Sequence, residues 1–183
     1  MSQEDDARFT LSIVSENEVG ALLRMTMTLA RHRIRVESLT STSDESAGVH
    51  RHIVVARARP DRVRRAMKQI QASVGVLAAE YYAEGETVDR EVALYKLDVD
   101  RLGDPDSFRD LVRARRARVL VLGETYVIIE KTGCGREIEE LYESLRPFGV
   151  MQFVRSGRIM VTKAGPAETA GARASSGNRA NGG

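Results

Sequence analysis

Two hydrophobic periods, one of two residues and one of about 3.6, alternate along this chain in an order that repeats once, and that repetition limits the fold more than any single motif. Phe9, Leu11 and Ile13 alternate as in a strand, and Leu22, Met25 and Leu29, beside Leu23, Met27 and Ala30, then recur at helical spacing over about 19–32. Ile34 and Val36 alternate with Arg35 and Glu37 before Leu39, as in a half-buried strand. A turn is predicted over 41–48, and a strand over 49–58 puts Arg51, Ile53 and Val55 on one face and His50, His52, Val54 and Ala56 on the other. Pro60 and Asp61 open a helix with Val63, Ala66, Met67, Ile70 and Val74 inward. Gly75 ends it, and a strand over 76–82 runs to the turn Glu84-Gly85-Glu86.

The second half runs through the same order. A strand over 88–99 precedes a helix over 106–116 with Phe108, Leu111 and Val112 inward. Strands over 118–122 and 126–131 are joined at Gly123-Glu124, and a helix over 133–145 turns Ile138, Leu141, Tyr142 and Leu145 to one side. A strand over 150–154 follows, and Ser156-Gly157 turns it into an extra strand over 159–163. The pattern β-α-β-β-α-β, twice, predicts an α+β chain of two tandem ferredoxin-like units. The expected limits are a flexible N-terminus over 1–8, units over 9–84 and 85–163, and a disordered tail over 164–183, where Gly, Ala, Ser and Asn leave little to bury.

The junction of the first strand and first helix, Ser15-Glu16-Asn17-Glu18-Val19-Gly20-Ala21-Leu22-Leu23-Arg24, is the candidate binding corner. A helix start presents unpaired N–H groups backed by the positive end of the macrodipole, which suits a carboxylate. Gly20 lets backbone approach a ligand closely, and Asn17 offers a donor and an acceptor; together they fit a free amino acid. The same residues also have a plain structural use: Asn17 as a cap, Glu18 as a favourable first-turn charge, Gly20 as a tight contact.

Composition narrows the remaining classes. With 28 basic and 26 acidic residues the net charge is +2, which argues against a dedicated polyanion binder, and 5% aromatics with no Trp leave little to stack on bases. RNA-binding modules of this fold carry exposed aromatics on the central strands; Arg51-His52-Ile53-Val54-Val55 carries none. One cysteine, no N-terminal signal peptide and no apolar run near 18 residues lead to the expectation of a cytoplasmic protein with no membrane segment. His50 and His52 share one side of a strand, but only His32 remains as a further imidazole, and no metal is expected. Cys134 opens a helix without a neighbouring histidine and reads as a small buried thiol. Arg113, Arg115, Arg116 and Arg118 read as a solvated helix C-terminus. Thr10, Ser12, Val14, Val54 and Ala56 are expected on the sheet face away from the helices, an uncharged surface for a homodimer with the corner near the subunit boundary.

Over about residues 8–163 the chain resembles the small regulatory subunit of acetolactate synthase, on four stretches in the right order. Glu16-Asn17-Glu18-Val19-Gly20-Ala21-Leu22 is similar to that family's effector corner, and Val36-Glu37-Ser38-Leu39-Thr40 to its second strand. Val88-Asp89-Arg90-Glu91-Val92-Ala93-Leu94-Tyr95-Lys96 resembles the start of its C-terminal domain, and Val154-Arg155-Ser156-Gly157-Arg158 its closing hairpin. The resemblance implies an ACT domain over 9–84 that dimerises and binds a branched-chain amino acid between subunits. It implies effector residues Asn17, Val19, Gly20, Ala21, Leu22, Arg35 and Val36, no catalysis and no cofactor of its own. The implied partner is a large subunit that carries thiamine diphosphate, magnesium and FAD and condenses pyruvate into acetolactate, with feedback inhibition typically by valine. Where the family has Gly-Tyr-Asn-Ile before Glu-Ser-Leu, this chain has Arg33-Ile34-Arg35-Val36, so Arg35 replaces an asparagine that helps hold the effector, and it either repels the ligand ammonium, grips a carboxylate bidentately in an altered pose, or lies in solvent at an empty site. The alternative class is a stand-alone amino-acid-sensing dimer serving another enzyme or a transcriptional circuit.

Overall fold

The structure is a computed structural model and describes residues 6–44 and 47–163; the expected tail over 164–183 and most of the expected flexible N-terminus lie outside the described residues. The chain divides into two compact units, one running through Val88 and resuming at Met160, the other Asp89–Ile159.

In the first unit β1 (Ala7–Glu16), α1 (Ala21–Arg31), β2 (Arg35–Asp44), β3 (Val49–Ala58), α2 (Pro60–Gln71) and β4 (Val76–Ala83) follow the expected order. The sheet is antiparallel with strand order β2-β3-β1-β4, so both crossovers pass through helices on one face. Leu11 lies opposite Val54 and Phe9 opposite Ala56, and these side chains pack with Met25 and Leu29 of α1 and Val63, Ala66, Met67 and Ile70 of α2. Burial of each large aliphatic here contributes about 1.5–3 kcal/mol.

Three sequence expectations change. The stretch 41–44 is strand, not turn: Ser41, Thr42, Ser43 and Asp44 pair with His52, Arg51, His50 and Val49. Polar alternation suits an edge strand whose neighbour supplies the pairing. Val54 and Ala56 belong to the helix side, because antiparallel register with Leu11 and Phe9 places them there. Their neighbours Ile53 and Val55 face the other way beside Thr10, Ser12 and Val14, and all five are buried, so the open uncharged face expected there is absent. Val74 is 81% exposed, since α2 ends at Gln71 and the helical spacing no longer applies.

The rest of the chain repeats the plan with β5 (Thr87–Asp98), α3 (Pro105–Ala114), β6 (Arg118–Leu122), β7 (Tyr126–Gly133), α4 (Gly135–Leu145), β8 (Val150–Arg155) and β9 (Ile159–Thr162). Strand order is β6-β7-β5-β8, and β9 pairs with β5. Tyr95 is fully buried, donates its hydroxyl to the Ile138 carbonyl at 2.8 Å and stacks on Phe153. The β6–β7 hairpin turns at Glu124-Thr125, one residue later than expected, because Gly123 donates its amide to the Tyr126 carbonyl and so still belongs to the ladder. Cys134 is partly buried; it caps α4, and its amide donates to the Glu137 carboxylate at 2.8 Å.

Candidate functional site

The corner is built by Gly20. Its backbone has φ +91°, a conformation that residues with a Cβ adopt at a cost of about 1–2 kcal/mol, and it occupies the N-cap of α1. Glycine has no side chain to cap with, no other side chain caps this helix, and the first turn carries no acid. The Ala21 amide donates to Glu18 and the Arg24 amide to Gly20, while the Leu22 and Leu23 amides meet no acceptor among the described residues. Two N–H groups and the positive helix end are left for an anion. Asn17 is therefore not the cap: its amide donates to the Gly48 carbonyl at 3.1 Å, and its exposed carboxamide is free among the described residues.

Contacts within the corner stretch and to the link after α2 hold the corner in place. Glu16 donates its amide to the Gly75 carbonyl at 2.8 Å, tying the end of β1 to the link between α2 and β4. Arg24, one turn into α1, reaches back to Glu18 at 2.6 Å and to the Val74 carbonyl at 3.5 Å. Gly75 has φ +77°, and a Cβ there would stand 3.0 Å from the Glu18 carboxylate. An isolated glycine just past an amphipathic helix was the only sequence signal for this contact.

Beneath the corner Ser15 and His52 are buried together, Ser15 Oγ lying 3.2 Å from His52 Nε2. Burial, with a smaller contribution from His50, pushes the His52 pKa down, so the ring is neutral at physiological pH. His52 Nδ1 is buried without a partner among the described residues. The His50 and His52 rings lie 5.9 Å apart, and among the described residues no cluster of three His, Cys, Asp or Glu forms.

Arg35 and Val36 are not at this corner. They begin β2, where Arg35 lies opposite Arg57 and Val36 opposite Ala56. Arg57 in turn lies opposite Arg8 at the start of β1, whereas Glu16 and the corner stand at its far end. At about 3.4 Å per residue the two groups are about 25 Å apart along the sheet. Within one chain the seven expected residues fall into two separate groups: Asn17, Val19, Gly20, Ala21 and Leu22 at one end, Arg35 and Val36 at the other. Glu37, the acid nearest Arg35 on the strand, is taken by Arg8 at 2.8 Å and Arg57 at 2.6 Å. Val19, at 97% exposure, and Val36, at 41%, leave apolar surface in both groups.

Elsewhere, Arg115 meets Glu140 and Ser144 and Arg118 meets Glu130, so half of the arginine cluster is engaged within the second unit. Among the described residues no helix is long and apolar enough to cross a membrane.

Comparison with known proteins assigns both units. Residues 9–75 match the family model of the ACT domain, and residues 90–164 that of the small subunit of acetolactate synthase. The chain is similar to the acetolactate synthase small subunit of Mycobacterium bovis, at 27% identity over 154 residues covering 84% of this chain and 91% of that one. It is similar to that of Bacillus subtilis, at 29% identity over 149 residues covering 81% and 85%. Its fold matches the crystal structure of the small subunit from Thermotoga maritima with a TM-score of 0.76 at 22% identity, over 87% of this chain and 99% of that one.

Proposed function

Given that the chain belongs to the acetolactate synthase small-subunit family, with an ACT domain at its N-terminus, we propose that it is the non-catalytic regulatory subunit that activates the large subunit and makes it sensitive to a branched-chain amino acid. The large subunit then carries thiamine diphosphate, magnesium and FAD and performs the condensation; this chain binds the effector and transmits its presence. The observation that carries the effector reading is the uncapped start of α1 behind Gly20.

The two groups of residues become one site when two chains pair. β2 is an edge strand, and its Asp44 end lies, through Val49, at the same end of the sheet as Glu16. Antiparallel pairing of β2 with β2 of a second copy about a two-fold axis carries the second copy's Arg35 and Val36 to this chain's corner. There the ligand carboxylate takes the Leu22 and Leu23 amides, the Asn17 carboxamide takes the ammonium, and the aliphatic side chain lies against Leu22 and Val36. Arg35 shapes the outcome. A fixed cation near the ammonium costs about 1 kcal/mol or more in a partly dry site, and it weakens valine binding relative to an asparagine at this position. Calorimetry with valine checks this: Arg35→Asn is expected to bind at least five-fold tighter than the natural chain, and equal or weaker binding would remove Arg35 from the site. Size-exclusion with light scattering on a mixture with the large subunit is expected to give a joint complex; separate elution would leave the stand-alone sensor.

A further inference from the structure

The opposite edge of the first sheet carries a second candidate surface, unconnected with the candidate corner. β4 is the edge strand beside β1, and from Ala78 to Tyr82 it pairs with β1 in unbroken register, which leaves the outer side of its backbone without a strand among the described residues. α2 runs alongside it. Between them lies a groove of about 610 Å³. Its floor is apolar, formed by Met67 of α2 with Ala79 and Tyr81 of β4; Tyr81 meets Phe9 edge to face and stays 40% exposed. Its rim is basic. Arg64 and Lys68, one helical turn apart, line it, and Gln71 follows at the next turn on the same face.

These two cations are free in a way their neighbours are not. The acid of this helix, Asp61, is shared by Arg59 and Arg65, and neither Arg64 nor Lys68 has an ion pair among the described residues. Glu80 and Tyr82 also line the groove, in register with Ser12 and Thr10 of β1, and the Tyr82 hydroxyl donates to the Glu80 carboxylate, so this acid is engaged on its own strand and not by Arg64 or Lys68.

We propose that this groove docks an extended acidic segment of a partner protein, which adds to β4 as a fifth strand and lays its carboxylates on Arg64 and Lys68. An edge strand offers main-chain donors and acceptors at strand spacing, and the flanking helix reads alternate side chains. Glutamate fits both parts: its methylenes cover Tyr81 and Ala79 while its carboxylate reaches the rim. Two unpaired cations over an apolar floor reject a basic segment, and they disfavour a second copy of α2, whose own rim carries the same charge.

The test uses the full chain and two blocked nine-residue peptides labelled for fluorescence anisotropy, one alternating valine and glutamate, the other valine and lysine. The acidic peptide is expected to bind, with affinity that falls as salt rises, and the basic one is not. Arg64→Glu with Lys68→Glu, both on exposed positions, is expected to weaken the acidic peptide at least ten-fold. Arg109→Glu with Arg113→Glu, the same charge change on α3, is expected to leave it within two-fold. Hydrogen exchange of the acidic complex is expected to slow amides within 78–82. Equal binding of both peptides, an equal effect of the two double variants, or protection outside β4 overturns the proposal. So does protection of 78–82 in the free chain that grows with protein concentration, which would assign this edge to self-association. Because no large subunit is present, failure here leaves the regulatory-subunit reading standing.

Discussion

Gly75→Ala tests whether the candidate corner is held from the α2–β4 link. Two costs add at this site. An alanine at φ +77° carries the strain of left-handed backbone, about 1–2 kcal/mol, and its Cβ would stand 3.0 Å from the Glu18 carboxylate, so Glu18 must leave Arg24 or push it aside. The Glu18–Arg24 pair is nearly half exposed on both sides, so its loss is worth about 0.2–1 kcal/mol. Gly85 supplies the control: φ is +95°, and nothing lies within 4 Å of a Cβ there. Gly85→Ala therefore carries strain without contact, and both variants share the reduced freedom of the unfolded chain. The difference between them isolates the corner, and Gly75→Ala is expected to be about 0.5–1 kcal/mol the less stable in urea unfolding followed by circular dichroism. For a unit of this size that corresponds to about 2–8 °C in Tm. In a Glu18→Ala background the gap is expected to close to about 0.3 kcal/mol or less. Equal destabilisation by the two alanines, or a gap that survives removal of Glu18, would refute the clamp.

Other outcomes follow from the same geometry. Val36→Glu places a carboxylate on the strand assigned to pairing between copies and is expected to shift the chain toward monomer in analytical ultracentrifugation, with the circular dichroism spectrum unchanged. His52 has its pKa lowered by burial, so the folded state binds fewer protons than the unfolded chain below the unfolded pKa of 6.5. Stability is then complete above that pH and is lost as pH falls below it, by at most about 1.4 kcal/mol per unit, and His52→Asn is expected to flatten this dependence in urea titrations between pH 7.5 and 5.5. Cys134→Ser keeps the cap of α4 and is expected to unfold within about 0.5 kcal/mol of the natural chain, whereas Cys134→Val loses it and costs about 1 kcal/mol, read by the same titration.

Much of the architecture could be read from period alone, and the places where it could not share one cause. The helix faces of α2, α3 and α4 come directly from 3.6-residue spacing, which is a property of the element itself, whereas on α1 only Met25 and Leu29 of the spaced residues are buried and Leu22, Leu23 and Met27 are exposed. Which face of a strand is buried depends instead on its neighbour: Val54 and Ala56 went to the wrong side until their register with Leu11 and Phe9 was known. Ser41 to Asp44 looked like a turn because its polarity is a property of residues, while its strand character comes from β3. At the candidate site the local corner was legible, since Gly20 and Asn17 are close in sequence. The Gly75 link was not, because it comes from a distant part of the chain, and although Arg24 lies in the corner stretch its bond to the Val74 carbonyl, 50 residues away, has no local signal. Arg35 and Val36 sit about 25 Å from the corner along a β-sheet, a separation no single-chain motif reveals.

The central claim is regulation of a catalytic partner, and the most direct measurement is the rate of acetolactate formation by the cognate large subunit, assayed with thiamine diphosphate, magnesium and FAD added, as this chain is titrated in. A several-fold rise that saturates at a fixed ratio of the two chains is the predicted result. A rate that stays flat across the titration would contradict the regulatory-subunit account.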